Sequence, residues 1–260
     1  MPGRIRRRLA CVFREWMITI AAGAAGAAVA WAACRVTARA PRPAAVPVRC
    51  CVVVTALAWV WLGRRWSVGG LPGWWLPVPL AVFAVAAPLV AADLRYRRLP
   101  DVLTATLAAL VGVALAASAF AVDAVAADSG EAGTGLVVRS VAGAVGFTVV
   151  HALVRAVSPR SMGAGDVKLA AGLGGGAGAV GWPALVVTSA VASLVTLAAA
   201  WMTRVMCRGP TGRGVPHGPG MVLGACLVVA FPGAGLDGGV GPATWAVTGS
   251  GMGVITPGPG

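Results

Sequence analysis

Residues 169–203 have the sequence LAAGLGGGAGAVGWPALVVTSAVASLVTLAAAWMT, in which no side chain carries a charge. A spanning helix needs roughly 20 mostly apolar residues, so this segment is too long for one straight crossing of a bilayer. Its glycine-rich part, at 172–183, ends in a proline, and both residue types interrupt helices. We therefore predict a helical hairpin in the membrane, with its turn near Gly181–Pro183.

The composition of the whole chain favours a membrane protein. Of the 260 residues, 58% are hydrophobic and 11% are charged, and the mean hydropathy is +0.84. A soluble globular domain usually has about 25% charged residues. So few charges exclude both a soluble enzyme and a disordered chain. The sequence predicts an all-α fold, a polytopic transmembrane helix bundle of about seven to eight spans.

Further candidate spans lie on both sides of the hairpin, at 16–34, 50–63, 74–92, 102–122, 136–157 and 215–232. We divide the chain into four regions. They are a basic leader at 1–16, two N-terminal spans with an Arg-rich loop at 17–73, a membrane core at 74–232, and a Gly/Pro-rich tail at 233–260 that we expect to be disordered.

The basic residues indicate the topology. The net charge is +13, with 21 basic and 8 acidic side chains. In a soluble protein this excess would suggest a nucleic-acid partner, but in a membrane protein it indicates cytoplasmic loops. The loops 93–101, 155–168 and 204–214 each carry three basic residues, and the loop 123–135 carries none. We predict that the first three lie in the cytoplasm, that the fourth lies outside, and that nucleic acid is not a partner.

If each predicted span crosses the membrane once, counting spans from the loop 93–101 back toward the start of the chain puts residues 35–49 in the cytoplasm. The same count puts the N-terminus outside. The five arginines of 1–16 conflict with that placement. Three explanations stay open. Translation starts at Met17 and leaves the basic leader out, or segment 50–63 does not cross, or residues 1–34 are a signal peptide.

Two of the acids at the ends of predicted spans bear on function. Asp93 follows the apolar run at 74–92, and Asp166 precedes the hairpin. A carboxylate at the membrane boundary is costly and is a functional hypothesis by default. The alternative is that each acid caps a helix or pairs with a nearby arginine.

Three short motifs follow one another along the chain: DLRYRRLPD at 93–101, GAGDVKL at 163–169 and VPHGP at 215–219. In this order they resemble the motifs of type IV prepilin leader peptidases, a family of polytopic GxGD aspartic proteases. The resemblance extends from about Val78 to Val229, well over half of the chain.

The resemblance implies hydrolysis of a peptide bond by two aspartates, Asp93 and Asp166, near the cytoplasmic face of the plasma membrane. Close carboxylates share a proton, so that one can accept a proton from water while the other donates to the carbonyl oxygen. Gly163 and Gly165 would shape the backbone beside Asp166. Such a reaction needs no metal and no cofactor.

The remaining motif positions take lesser parts. Pro216, Gly218 and Pro219 would shape the substrate site, although the family usually has an aromatic residue where His217 stands. We interpret His217 as a solvated loop residue and His151 as a helix-interface residue. The supporting residues are Lys168, expected to anchor its helix at the lipid headgroups, and Pro100, expected to break the chain before the next helix.

Longer members of the family carry a cysteine zinc module that is associated with methylation of the trimmed pilin. The six cysteines here form no C-x-x-C pair, so we expect a peptidase-only form. The expected partners are prepilin or pseudopilin precursors and membrane lipids. Two other interpretations remain, a family relative that binds precursors without cutting them and a small transporter whose acids bind ions.

Overall fold

The computed structural model describes residues 2–40, 44–126, 131–159, 162–207 and 216–233. Within these ranges the chain forms α-helices and no strand, which confirms the predicted all-α bundle. The eight helices are α1 (Pro2–Arg39), α2 (Val48–Ser67), α3 (Pro77–Tyr96), α4 (Asp101–Ala126), α5 (Glu131–Val157), α6 (Ala164–Val180), α7 (Trp182–Cys207) and α8 (Gly218–Ala230).

Five helices are long and apolar enough to cross a membrane: α1, α3, α4, α5 and α7. The other three differ from them for separate reasons. Helix α2 has Arg64 and Arg65 in its last turn, α6 has 17 residues and α8 has 13. The chain is therefore a multi-pass membrane protein in which shorter helices complete the bundle.

The predicted hairpin is present. Helices α6 and α7 are separated by Gly181 alone, whose φ of 146° is a value that side chains disfavour. Pro183 is the second residue of α7, where a proline costs the helix no hydrogen bond. The turn thus falls where the sequence placed glycine and proline together.

The buried core consists mainly of α3, α6 and α8. More than half of the apolar segment of α3 is buried, at 56%, compared with 11% for α7. Nearly every residue of α6 from Leu169 onward is buried, and so are most residues of α8. A helix that is apolar on all sides belongs inside a bundle, whereas α7 leaves most of its surface to lipid.

Several helix termini lie together at one end of the bundle. Helices α1 and α2 are antiparallel, with Glu15 and Arg64 paired at 3.2 Å at one end and Cys34 against Cys51 near the other. At that second end, the Tyr96 hydroxyl donates to the Ala45 carbonyl at 2.8 Å. The segment after α1 and the end of α3 therefore lie together, as the loop-charge argument requires.

Parts of some predicted loops lie outside the described residues. These parts are 127–130 of the acidic loop, 160–161 of the loop before α6, and 208–215 before α8. The tail predicted to be disordered also lies outside them from residue 234 onward.

Candidate active site

Asp93 lies in the last turn of α3, and its side chain is 5% exposed. The helix ends directly after it because Arg97 adopts a left-handed conformation, with φ 52°. The Arg97 N–H donates to the Asp93 carbonyl at 2.8 Å. This cap fixes the backbone at Asp93, and left-handed angles at a residue other than glycine are often found at functional sites.

Asp166 lies in the first turn of α6 and is 8% exposed. Its Oδ2 accepts a hydrogen bond of 3.1 Å from the Gly163 N–H, so the carboxylate also caps the helix it belongs to. The loop before the helix is held from α5, since Arg155 Nη1 donates to the Met162 carbonyl at 2.8 Å. Both the loop and the helix start therefore position Asp166.

The start of α8 runs between the two acids. A Cβ built on Gly218 would lie 2.7 Å from Asp93 Oδ2 and 3.5 Å from Asp166 Oδ1. These two oxygens are therefore no farther apart than the sum of those distances. The Gly218 amide also faces the Asp93 carboxylate. The termini of α3, α6 and α8 thus converge on one pair of carboxyl groups.

The two glycines before Asp166 allow a close approach within the chain. A Cβ on Gly165 would lie 3.0 Å from the Cβ of Leu99 in the loop after α3. A Cβ on Gly163 would lie 3.2 Å from Asp166 Oδ2. The glycine at 165 therefore brings α6 against the loop that follows Asp93, and the one at 163 leaves room for the Asp166 carboxylate.

A cavity of about 770 Å³ opens beside the two acids. Asp93 and Asp166 both line it, together with residues of the loops 97–102 and 163–168 and with Ala40 and Ala44 from the segment after α1. A cavity of this volume has the size usual for a ligand site.

The supporting positions form the rim of this cavity. Lys168 Nζ lies 2.6 Å from Asp101 Oδ1, in an exposed ion pair that joins the starts of α6 and α4. The sequence predicts a headgroup anchor at Lys168 and does not identify this partner. Pro100 lines the cavity and directly precedes α4, as the sequence predicts.

The prolines of the third motif lie beside the acids without lining the cavity. Pro219 is the second residue of α8, a favourable place for proline, and Pro216 lies just before the helix. Both are partly exposed. In this motif, Gly218 is the residue whose backbone lies against both carboxylates.

The structure places His217, which we interpreted as a solvated loop residue, directly before α8. The residue is the N-cap of α8 and is only partly exposed. Its Nδ1 lies 2.8 Å from the Thr196 hydroxyl of α7, and its ring is close enough to Asp166 to interact electrostatically. Burial lowers the pKa of His217, and the charge of Asp166 opposes that lowering.

His151 lies between helices, as predicted, and also belongs to this cluster. It is 7% exposed, and its ring centroid lies 6.4 Å from that of His217. It interacts electrostatically with Asp166, as Arg155 does. Sequence reasoning missed Arg155 as a neighbour of Asp166 and Thr196 as a partner of His217, because nothing local in the sequence connects α5 or α7 with this end of the bundle.

The chemistry available here is that of two carboxyl groups. Asp93 Oδ2 is buried and has no hydrogen-bond partner among the described residues, which is unusual for a polar atom in a protein interior. No group of three metal-binding side chains occurs in the described ranges. Two close acids beside an open cavity are suited to exchange protons with a bound molecule.

Comparison with known proteins gives one match. Residues 79–201, which run from α3 into α7, match the model of the type IV leader peptidase family. No curated protein and no solved structure matches the chain. The matched segment contains both buried acids.

Proposed function

We propose that this chain, whose residues 79–201 match the type IV leader peptidase family, is an aspartic endopeptidase. It removes the basic leader from type IV prepilin-like precursors, either pilins or pseudopilins. The cut takes place at the cytoplasmic face of the plasma membrane, with Asp93 and Asp166 as the catalytic pair.

The observation that carries this assignment is the convergence of both carboxylates on Gly218. Asp93 and Asp166 come from different helices and lie 73 positions apart in the sequence. Both are buried, and both line the same cavity. Burying two acids side by side is costly, so a purely structural role gives no physical reason for the arrangement.

In the proposed reaction the two acids share one proton. The ionised carboxylate takes a proton from water, and the water oxygen bonds to the carbonyl carbon of the scissile peptide. The protonated acid gives its proton to the carbonyl oxygen. When the carbon–nitrogen bond breaks, the amine leaves with a proton returned by the pair.

The unpartnered oxygen supports this role for Asp93. Asp93 Oδ2 has no hydrogen-bond partner among the described residues, so it is available to water or to a substrate carbonyl. Asp166, in contrast, keeps a hydrogen bond from the Gly163 amide. A catalytic carboxyl group needs at least one oxygen that its own protein does not occupy.

Charges near the cavity support the cytoplasmic orientation. Arg97, Arg98 and Lys168 all line the cavity. Basic residues in short loops favour the cytoplasmic side of a membrane. A precursor whose leader is still in the cytoplasm would therefore meet the acids on the side where it is made.

The proposal is tested by co-expressing the chain with a tagged prepilin and measuring leader removal. Replacing either acid, as Asp93→Asn or Asp166→Asn, should lower the cleavage rate at least about a hundredfold, because a general acid or base is lost. A matched control is Asp123→Asn near the opposite end of the bundle, where Oδ1 accepts from the Gly133 amide at 2.7 Å. The amide oxygen of asparagine can accept the same bond.

Asp123→Asn should cleave at the parental rate. If either active-site variant also cleaves at the parental rate, the assignment of the pair is wrong. If no prepilin is trimmed by the parent, the non-catalytic interpretation replaces the proposed one.

A further inference from the structure

Two histidines lie close enough to Asp166 to interact with it. His217 comes from the start of α8 and His151 from α5, and their ring centroids are 6.4 Å apart. Both interact electrostatically with Asp166. The two-aspartate reaction proposed above uses neither ring, so their position beside one of its acids calls for an explanation.

The contacts of Thr196 determine the tautomer of His217. The Thr196 hydroxyl lies 2.8 Å from the Ala192 carbonyl and 2.8 Å from His217 Nδ1. A carbonyl oxygen can only accept, so the single hydroxyl proton goes to Ala192. His217 Nδ1 must then donate to the hydroxyl oxygen. The ring therefore titrates at Nε2.

His151 is held in the same way. Its Nδ1 lies 2.7 Å from the Phe147 carbonyl, which again can only accept. Its Nδ1 therefore carries a proton. Each histidine is thus fixed at Nδ1 by a neighbouring helix residue, as histidines that serve a defined role commonly are.

The surroundings of the two acids are unequal. Asp166 has the Gly163 amide as a donor and has His217, His151 and Arg155 as cationic or potentially cationic neighbours. Asp93 faces the Gly218 amide and interacts with Arg97, and its Oδ2 is buried without a partner among the described residues. Negative charge is therefore better stabilised on Asp166 than on Asp93.

We propose that His217 is a positioning residue for the peptidase reaction. Its imidazolium, formed in mildly acidic conditions, keeps Asp166 ionised as the proton-accepting acid, while Asp93 carries the shared proton. His151 and Arg155 contribute positive potential to the same carboxylate. This inference rests on the proposed function, because it assigns separate parts to the two acids of that reaction.

The groups that face His217 set the pH range in which it acts. They are Asp166 on α6 and His151 on α5, whereas α7 contributes the uncharged Thr196. Arg155 on α5 acts on Asp166, and Asp93 on α3 lies near Gly218, the residue after His217. Burial lowers the pKa of His217 although the charge of Asp166 opposes the lowering, so the imidazolium predominates only on the acidic side of the range usual for histidine. The ring is neutral at higher pH, so its effect belongs to the acidic side of the activity profile.

The test is the pH profile of kcat/KM for prepilin cleavage by the purified full chain and by His217→Asn. Asparagine can keep a side-chain donor near Thr196 but has neither Nε2 nor a titratable ring. The acidic limb of the variant's profile should move to higher pH by about one unit, because a positive charge beside a carboxylate is lost. Relative to the parent, the variant should then be weaker by up to about tenfold at pH values below both limbs, and little changed near pH 7.5.

A second variant and a control keep the result interpretable. His217→Gln, which leaves a neutral polar group at the same place, should shift the limb in the same direction and replaces His217→Asn if that variant fails to fold. Ser189→Ala removes another hydroxyl of α7, which bonds the Leu185 carbonyl of its own helix, and should keep the parental profile.

An unchanged acidic limb in both folded His217 variants would overturn the inference. So would an equal loss of activity at every pH, because that result indicates a structural role. Failure of the proposed function gives a different result from failure of this inference, because prepilin cleavage would then survive Asp166→Asn.

Discussion

At Gly218 the backbone of α8 lies against Asp93 and Asp166 with no side chain between them. The residue is the first of its helix, and its φ lies outside the left-handed range, so alanine could adopt the same backbone. What glycine provides here is space. The distance between the two acids therefore depends on one missing methyl group.

Gly218→Ala should lower prepilin cleavage at least about tenfold with little loss of thermal stability. The new Cβ would lie 2.7 Å from Asp93 Oδ2, closer than such contacts occur, so the carboxylate must move. A displacement of about 1 Å at a reacting group can cost a hundredfold in rate. Cleavage assays and thermal unfolding in detergent measure the two effects separately.

Gly112→Ala in α4 is the matched control, because a Cβ there has open space around it. It should leave cleavage unchanged and should raise stability slightly through helix propensity. A Gly218→Ala enzyme with the parental rate would contradict the idea that close approach of the acids depends on this position.

Helix α6 is held against α5 by glycines that bring the two backbones together. A Cβ on Gly174 would lie 2.8 Å from the Gly143 carbonyl oxygen, and one on Gly178 would lie 2.7 Å from the Gly143 Cα. Small residues are a common way to join membrane helices, since lipid tails provide no hydrophobic drive for association. We call this glycine contact between α5 and α6 the seam. It holds in place the helix whose first turn contains Asp166.

Two alanine substitutions on α6 distinguish an effect at the seam from an effect elsewhere on the helix. Gly178→Ala should destabilise the protein by about 1–3 kcal/mol, because overpacking forces the helices apart. Gly175→Ala places its Cβ 3.5 Å from Ser140 Oγ, an ordinary contact, and should be neutral or slightly stabilising through helix propensity. Unfolding of both variants in detergent, by heat or denaturant, gives the comparison. Equal stability changes would show that the seam is not specific.

The whole molecule has a buried inner group of helices and two different ends. Asp93, Asp166 and the cavity are at the end with the loops 97–102 and 163–168. At the opposite end, Asp123 joins α4 to α5, and the Trp75 indole N–H donates to the Val229 carbonyl at 2.9 Å. The bundle therefore separates the candidate site from one side of the membrane.

Cysteine labelling of the full chain tests which side that is. With the native cysteines replaced, Thr134→Cys should react with a membrane-impermeant thiol reagent in intact cells. Arg98→Cys at the cavity should react only after the cells are permeabilised, because its basic loop is expected in the cytoplasm. Both positions are exposed, so a difference reports sidedness rather than burial. The opposite labelling pattern would reverse the proposed orientation.

The predictions that were confirmed depend on local properties of the chain. The turn at Gly181 and the boundary at Pro100 follow from residues that stop a helix wherever they occur. Asp93 and Asp166 could be selected because they stand in the motifs DLRYRRLPD and GAGDVKL beside apolar runs. Their catalytic role stays a prediction until the variants are measured.

Sequence analysis did not identify contacts between distant helices. His217 belongs to a short motif whose sequence suits a loop, yet Thr196 and Asp166 enclose it from two other helices. Lys168 has a usual headgroup-anchor position, but Asp101 from the start of α4 pairs with it. Neither partner can be identified without knowing which helix termini meet.

By itself, the sequence determined that this chain is a multi-pass helical membrane protein, where its hairpin turns and which acids are exceptional. Those properties depend on hydrophobicity, helix-breaking residues and loop charge, which act over short stretches of chain. Only the tertiary structure decided that α3, α6 and α8 bring Asp93 and Asp166 to Gly218, with His217 beside one acid. The distance between these side chains depends on how closely the helices approach one another where glycines lie in their contacts. That approach is a property of the folded bundle rather than of any one segment.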